Sequence, residues 1–165
     1  MLHALSDPHF CAIYEVGEAA DRTFIVMELI KGRPLAALIP PNGLPAKLVL
    51  QYGKQIATAL AHAHDHGVIH RDIKTSNIVI TPAKQVKILD FGLARVSRPV
   101  GPEEETLSLS SPEPVAIAGT LSYMAPEILH GREADERSDI WALGVVLYTK
   151  WRPASAPSKL KPLMN

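Results

Sequence analysis

A chain of 165 residues is long enough for about one domain. Its 17 basic and 17 acidic residues cancel, which argues against a nucleic-acid partner held by a basic face and against a polyanionic tail. Hydrophobic residues make up 47% of the chain, enough for a real core, and the single cysteine, Cys11, excludes an internal disulfide or a cysteine-based zinc cluster.

No run approaches the ~18 apolar residues of a membrane span; the longest, Trp141 to Tyr148, is far shorter. The first residues, Met-Leu-His-Ala-Leu-Ser-Asp-Pro, lack the charged start and apolar centre of a signal peptide. A cytoplasmic protein without a membrane segment is the expectation.

In chain order, residues 11–16 and 23–30 are β-rich runs separated by a polar, turn-like stretch, which predicts a β-hairpin. Pro34 to Ile39 suits a short helix with proline in its first turn. Ala46 to His66 is the clearest helix: Val49, Tyr52, Ile56, Ala59 and Ala63 recur at three- and four-residue steps, and Gly67 follows as a C-cap. Ile78-Val-Ile-Thr and Val86-Lys-Ile-Leu flank a turn with Pro82, a second hairpin. Residues 97–118, rich in proline, glutamate and Ser/Thr, read as a mobile loop. Ser138 to about Tyr148 is an apolar helix whose first turn holds Asp139, where the helix dipole favours a negative charge. Residues 149–165 read as a proline-containing basic tail, separate from a domain over 1–148.

The chemistry concentrates in His70-Arg-Asp-Ile-Lys-Thr-Ser-Asn77 and Asp90-Phe-Gly92. Asn77 enters the first strand of the second hairpin and Asp90 leaves the second. An antiparallel hairpin returns its ends to strands roughly 5 Å apart, so these two oxygen-bearing side chains can converge. Magnesium takes oxygen ligands, commonly one or two protein side chains plus phosphate oxygens, and Asn77 with Asp90 suit it. Asp72, one short loop earlier, faces the same mouth and can orient and deprotonate a hydroxyl nucleophile. Lys74 can neutralise charge on a transferring phosphoryl group.

This series resembles the serine/threonine protein kinase family. The likeness is carried by His70-Arg71-Asp72 with Lys74 and Asn77, then Asp90-Phe91-Gly92, Gly119-Thr120, Ala125-Pro126-Glu127 and Ser138-Asp139-Ile140-Trp141, in family order. It implies an α+β, two-lobe, kinase-like fold, here truncated to a residual small-lobe β-hairpin, the hinge and the first half of the helical large lobe. It implies ATP and Mg2+ as cofactors and a protein Ser/Thr hydroxyl as acceptor. Asp72 resembles the catalytic-loop aspartate that takes the hydroxyl proton, Lys74 the γ-phosphate lysine, and Asn77 and Asp90 the magnesium ligands. Met27 takes the gatekeeper-like position. Glu28 and Ile30 would offer backbone hydrogen bonds to adenine, and Val79 would pack beneath its ring. Thr120 would face Asp72. His70, Phe91, Gly92 and Glu127 are expected to be structural, and Asp139 to tie down the catalytic-loop backbone. Arg71 beside Asp72 implies activation by loop phosphorylation, with Thr106, Ser108, Ser110, Ser111 and Thr120 as candidates.

The family's glycine-rich loop and strand lysine have no counterpart, since the first lysine is Lys31, past the hinge-like segment. The match stops near Tyr148, and Glu127 is expected to lack its distant arginine and to stand in solvent. Two rivals follow: a catalytically silent binding or scaffold module, and a small-molecule phosphotransferase of the aminoglycoside-kinase type with a similar Asp…Asn then Asp layout. Lys74, Ala125-Pro126-Glu127 and Ser138–Trp141 favour the protein kinase. His62, His64 and His66 read as helix surface rather than as a metal site, there being no acidic ligand shell beyond Asp65. Cys11 reads as a small buried strand residue.

Overall fold

The computed structural model describes residues 7–19, 22–89 and 121–150. The elements are β1 (Ile13–Ala19), β2 (Arg22–Met27), β3 (Arg33–Pro34), α1 (Leu35–Leu38), α2 (Ala46–Asp65), a 3-10 turn (Thr75–Asn77), β4 (Ile78–Ile80), β5 (Val86–Ile88), α3 (Pro126–Leu129) and α4 (Glu136–Lys150). The arrangement is α+β, as expected. Strands β1 and β2 form one antiparallel ribbon, and β3, β4 and β5 form a separate sheet in that order.

Helix α2 forms because its apolar residues share one face, and that face is the centre of the core. Ile56, Ala59, Leu60 and Ala63 are fully buried, packed with Ile73, Ile78, Val86 and Ile88 from the side of β4 and β5 and Val146 from α4. The helix ends at a turn in which Gly67 adopts φ +70°, a conformation that glycine reaches without strain. Its Gln55 side chain also caps the β4–β5 turn, accepting from Val86 N–H at 2.8 Å and donating to the Lys84 carbonyl at 3.2 Å.

Helix α4 begins two residues before the expected start, and the reason is a reciprocal cap. Asp135 Oδ1 accepts from Arg137 N–H at 2.8 Å while Ser138 Oγ accepts from Asp135 N–H at 3.3 Å. The helix continues through Lys150, past the expected end near Tyr148.

Two elements depart from expectation at the N-terminal side. Residues 11 and 12 are not part of β1. Instead residues 9–11 lie along β5: Phe10 bridges Ile88 in parallel, Ile88 N–H donates to the His9 carbonyl at 2.7 Å, and Cys11 N–H donates to the Ile88 carbonyl at 2.9 Å. Cys11 is buried, as read, but in this short pairing rather than in the hairpin. The second strand ends at Met27, so residues 28–30 form an irregular crossover. Within the ribbon, Phe24 lies opposite Gly17, and a Cβ built on Gly17 would fall 2.4 Å from the ring. The absent side chain is what lets the aromatic ring lie across the pair.

Candidate active site

The loop from His70 to Lys74 owes its shape to one buried carboxylate. Asp139, 1% exposed in the first turn of α4, accepts from His70 N–H and Arg71 N–H, both at 2.8 Å. Arg71 has φ +68°, a left-handed conformation costing about 1–3 kcal/mol in a non-glycine residue. Asp139 holds the amide of that strained residue. The third donor to Asp139 is the His64 Nε2–H at 2.9 Å. His64 is therefore not a surface residue; its side chain is only 10% exposed. A signal was present: His64 continues the spacing of Ile56 and Leu60 on the buried face of α2.

His70 is fully buried and hydrogen-bonded at both ring nitrogens. Its Nδ1 accepts from Asp72 N–H at 3.2 Å, so Nε2 carries the proton and donates to the Leu89 carbonyl at 2.9 Å. The ring thereby joins the loop to the end of β5.

Asp72, Lys74 and Asn77 converge. Lys74 Nζ is 2.7 Å from Asp72 Oδ2. Asn77 Nδ2 donates to the same oxygen at 2.8 Å and to the Asp72 carbonyl at 3.0 Å. With its amide nitrogen toward Asp72, Asn77 turns its oxygen the other way, where it accepts from the Ser76 hydroxyl at 3.4 Å. Leu89 N–H donates to the Asn77 carbonyl at 2.8 Å, drawing the end of β5 to the start of β4. Asp90, Phe91 and Gly92 lie outside the described residues, as do Thr106, Ser108, Ser110, Ser111, Thr120 and the expected loop over 97–118. The expected convergence of Asn77 with Asp90 therefore also lies outside them.

The loop faces the segment that leads into α3. Thr75 Oγ1 and the Tyr123 hydroxyl are 3.1 Å apart. Arg71, Asp72, Tyr123, Met124, Arg132 and Ser138 line a cleft of about 200 Å³ beside them. Glu127 corrects an expectation here. It is half-buried and accepts from Ser138 Oγ at 2.9 Å, because α3 lies against the start of α4 and Ser138 projects from its first turn.

Met27, Glu28, Ile30 and Val79 lie in β2, the crossover that follows it, and β4. Met27 ends β2, 40% exposed. Val79 is buried in β4. Gly32 presses against it so closely that a Cβ there would be 2.6 Å from Val79 Cγ1 and 2.7 Å from the Ile80 carbonyl oxygen. Ile30 lies in the crossover, half-buried. Glu28 N–H donates to the Ala12 carbonyl at 2.8 Å, and its carboxylate pairs with Lys87 at 2.8 Å. The hydrogen bond from Lys87 holds the Glu28 carboxyl below the usual carboxylate range, against the opposing effect of burial.

Of the histidine run, His66 Nδ1 donates to the His62 carbonyl at 2.8 Å, and the two rings meet edge to face, centroids 4.6 Å apart. His62 Nδ1 stands 3.3 Å from Asp7 Oδ2, close enough to attract but not aligned as a hydrogen bond. Among the described residues no helix is long and apolar enough to cross a membrane.

Comparison with known proteins supplies the family. The family model for the protein kinase domain matches residues 1–155. The serine/threonine-protein kinase PrkC of Bacillus subtilis is 37% identical over 146 residues, covering 88% of this chain and 21% of that protein. The serine/threonine-protein kinase PknB of Mycobacterium leprae is 35% identical over 150 residues, covering 88% of this chain and 23% of its own length. The serine/threonine-protein kinase pkn2 of Myxococcus xanthus is 34% identical over 151 residues, covering 90% and 18%. The chain thus spans about a fifth of the length of the curated relatives it matches. On the family match over nearly all its length, the chain belongs to the protein kinase domain family.

Proposed function

We propose that this chain carries the catalytic centre of a serine/threonine protein kinase, transferring the γ-phosphate of ATP to a Ser or Thr hydroxyl of a protein. The observation that carries the reading is the grip of Lys74 and Asn77 on the Asp72 carboxylate, on a loop whose backbone amides Asp139 fixes. A carboxylate so held is oriented toward the cleft rather than free to rotate. In this reading Asp72 accepts the proton of the acceptor hydroxyl, and Lys74 turns from Asp72 to the phosphoryl oxygens as charge builds there.

The donor set suits magnesium. It is made of hard oxygens, and the Asn77 amide is already turned with its oxygen away from Asp72. Asn77 and Asp90 would hold the ion. When bound, magnesium would shield the phosphate charges that Lys74 alone does not balance. Met27, Glu28, Ile30 and Val79 would border the adenine. Phosphate on Thr106, Ser108, Ser110, Ser111 or Thr120 would pair with the exposed Arg71, adding about −1.5 to −2 charge. His70, Phe91, Gly92, Glu127 and Asp139 would serve the framework. A cytoplasmic site of action, where ATP is held, belongs to this reading.

A second reading is a kinase-like binding module without transfer activity. Phosphate transfer from radiolabelled ATP to a Ser/Thr peptide separates the two. The purified chain should transfer label, and Asp72→Ala should lower the rate about 10²–10⁴-fold, roughly 3–5 kcal/mol of barrier. Equal rates in both forms overturn the role of Asp72. Nucleotide binding without transfer selects the binding module.

A further inference from the structure

The β1–β2 ribbon is not packed on any other element of the described fold to a substantial extent. Tyr14, Val16, Phe24, Val26 and Met27 stand exposed on it. What joins it to the body is a short polar junction. Lys87, the middle residue of β5, sends its ammonium to Glu28 Oε2 at 2.8 Å and to the Phe10 carbonyl at 3.3 Å. The same Glu28 oxygen accepts from Ala12 N–H at 3.3 Å. Three chain segments, 10–12, 28 and 87, therefore meet at one carboxylate and one ammonium.

The position of this junction matters more than its strength. Lys87 is the register partner of Val79 across β4 and β5. Partners across a ladder project from one face of the sheet, so Lys87 and Val79 share a face. Gly32, at the far end of the 28–32 crossover, presses on that same Val79. The crossover is thus clamped at its exit by Gly32 on Val79 and at its entry by Glu28 on Lys87. Between the clamps Leu29 is 86% exposed.

We propose that Lys87 is a positioning residue for nucleotide: by gathering the Glu28 carboxylate and the Phe10 carbonyl, it fixes the crossover backbone against which an adenine ring is received. This rests on the kinase reading above. Lys87 touches no reacting atom; it acts through Glu28. Without the ammonium, the half-buried carboxylate would face a carbonyl oxygen with no cation between them. The junction would open and the ribbon would swing.

An ordinary exposed ion pair adds little to stability, so a melting curve alone would not distinguish this role. Two other readouts do. Calorimetric titration of the full chain with magnesium ADP should show affinity weakened about tenfold or more in Lys87→Met, the scale of a lost charge-assisted hydrogen bond. Amide exchange at Ala12 and Glu28 should quicken in the same variant while amides near Leu60 keep their protection. Lys87→Arg, which retains the cation, should recover most of both. Unchanged affinity and unchanged exchange in Lys87→Met would overturn the proposal. So would quickened exchange near Leu60 as well, since that reports general unfolding. A wild-type chain that takes up no magnesium ADP removes the kinase reading and the nucleotide role of Lys87 with it. In that event the exchange rates still decide whether Lys87 fixes the crossover.

Discussion

The body built from α2, β4, β5 and α4 and the ribbon built from β1 and β2 use similar residue types to different ends. In the body, Ile56, Leu60, Ile78, Val86 and Ile88 are sealed from water. In the ribbon, Val16, Phe24 and Val26 are each more than 40% exposed. The body coheres through apolar area removed from water, roughly 25 cal/mol per Å². The ribbon coheres through its own ladder and is fastened to the body by hydrogen bonds and one ion pair. Substitutions in the body should therefore change global stability, and substitutions in the ribbon should change local order.

The sharpest test of the body is Asp139. Its replacement by alanine strands His70 N–H, Arg71 N–H and His64 Nε2–H in a buried place. An unsatisfied buried donor costs about 1–3 kcal/mol, and two of these three are only part-buried, so Asp139→Ala should lower unfolding free energy by about 3–5 kcal/mol, toward the low end of the sum, read from urea denaturation. A loss below about 1 kcal/mol would mean that the loop finds other acceptors. Leu60→Ala, wholly within the core, should cost about 2–5 kcal/mol by emptying a packed site. Ser138→Ala comes next. It removes both the hydroxyl donor to Glu127 and the acceptor for Asp135 N–H, and should cost about 1–2 kcal/mol.

What was legible before the structure follows the distance in sequence over which each feature acts. Helix α2 was legible because its burial signal repeats within one turn. The β4–β5 hairpin was legible because Pro82 and its neighbours turn the chain between two short apolar runs. Asp72, Lys74 and Asn77 come together because one loop and one 3-10 turn separate them, so their spacing already held most of their geometry. The pairing of Phe10 with Ile88 was not legible, since nothing local to either residue announces a partner so remote in the chain. Glu28 with Lys87 is the same case, 59 residues apart. The fate of Glu127 was misread because its partner depended on how α3 meets α4, a packing fact that the composition of neither helix contains. His64 could have been found by extending the helical spacing one step past Leu60.

In the ribbon, the comparison sharpens at small effects. Phe24→Ala exposes no core and should change global stability by less than about 1 kcal/mol, while quickening exchange across the Gly17–Phe24 pair. A large drop in the urea midpoint would show that the ribbon is packed on the body after all. The junction adds a pH test that the body lacks. The Glu28 carboxyl is held below its ordinary value of 4.5, chiefly by the Lys87 hydrogen bond. A depressed carboxyl contributes its full stabilisation above the unfolded value and loses it as pH falls through the folded one. Protection of the Ala12 and Glu28 amides should therefore hold steady above about pH 5 and decline below 4.5 as the carboxyl protonates. Glu28→Gln should flatten that decline and leave the wild-type response near Leu60 untouched. A decline equal in both forms would assign the pH response to other carboxylates and separate the junction from it.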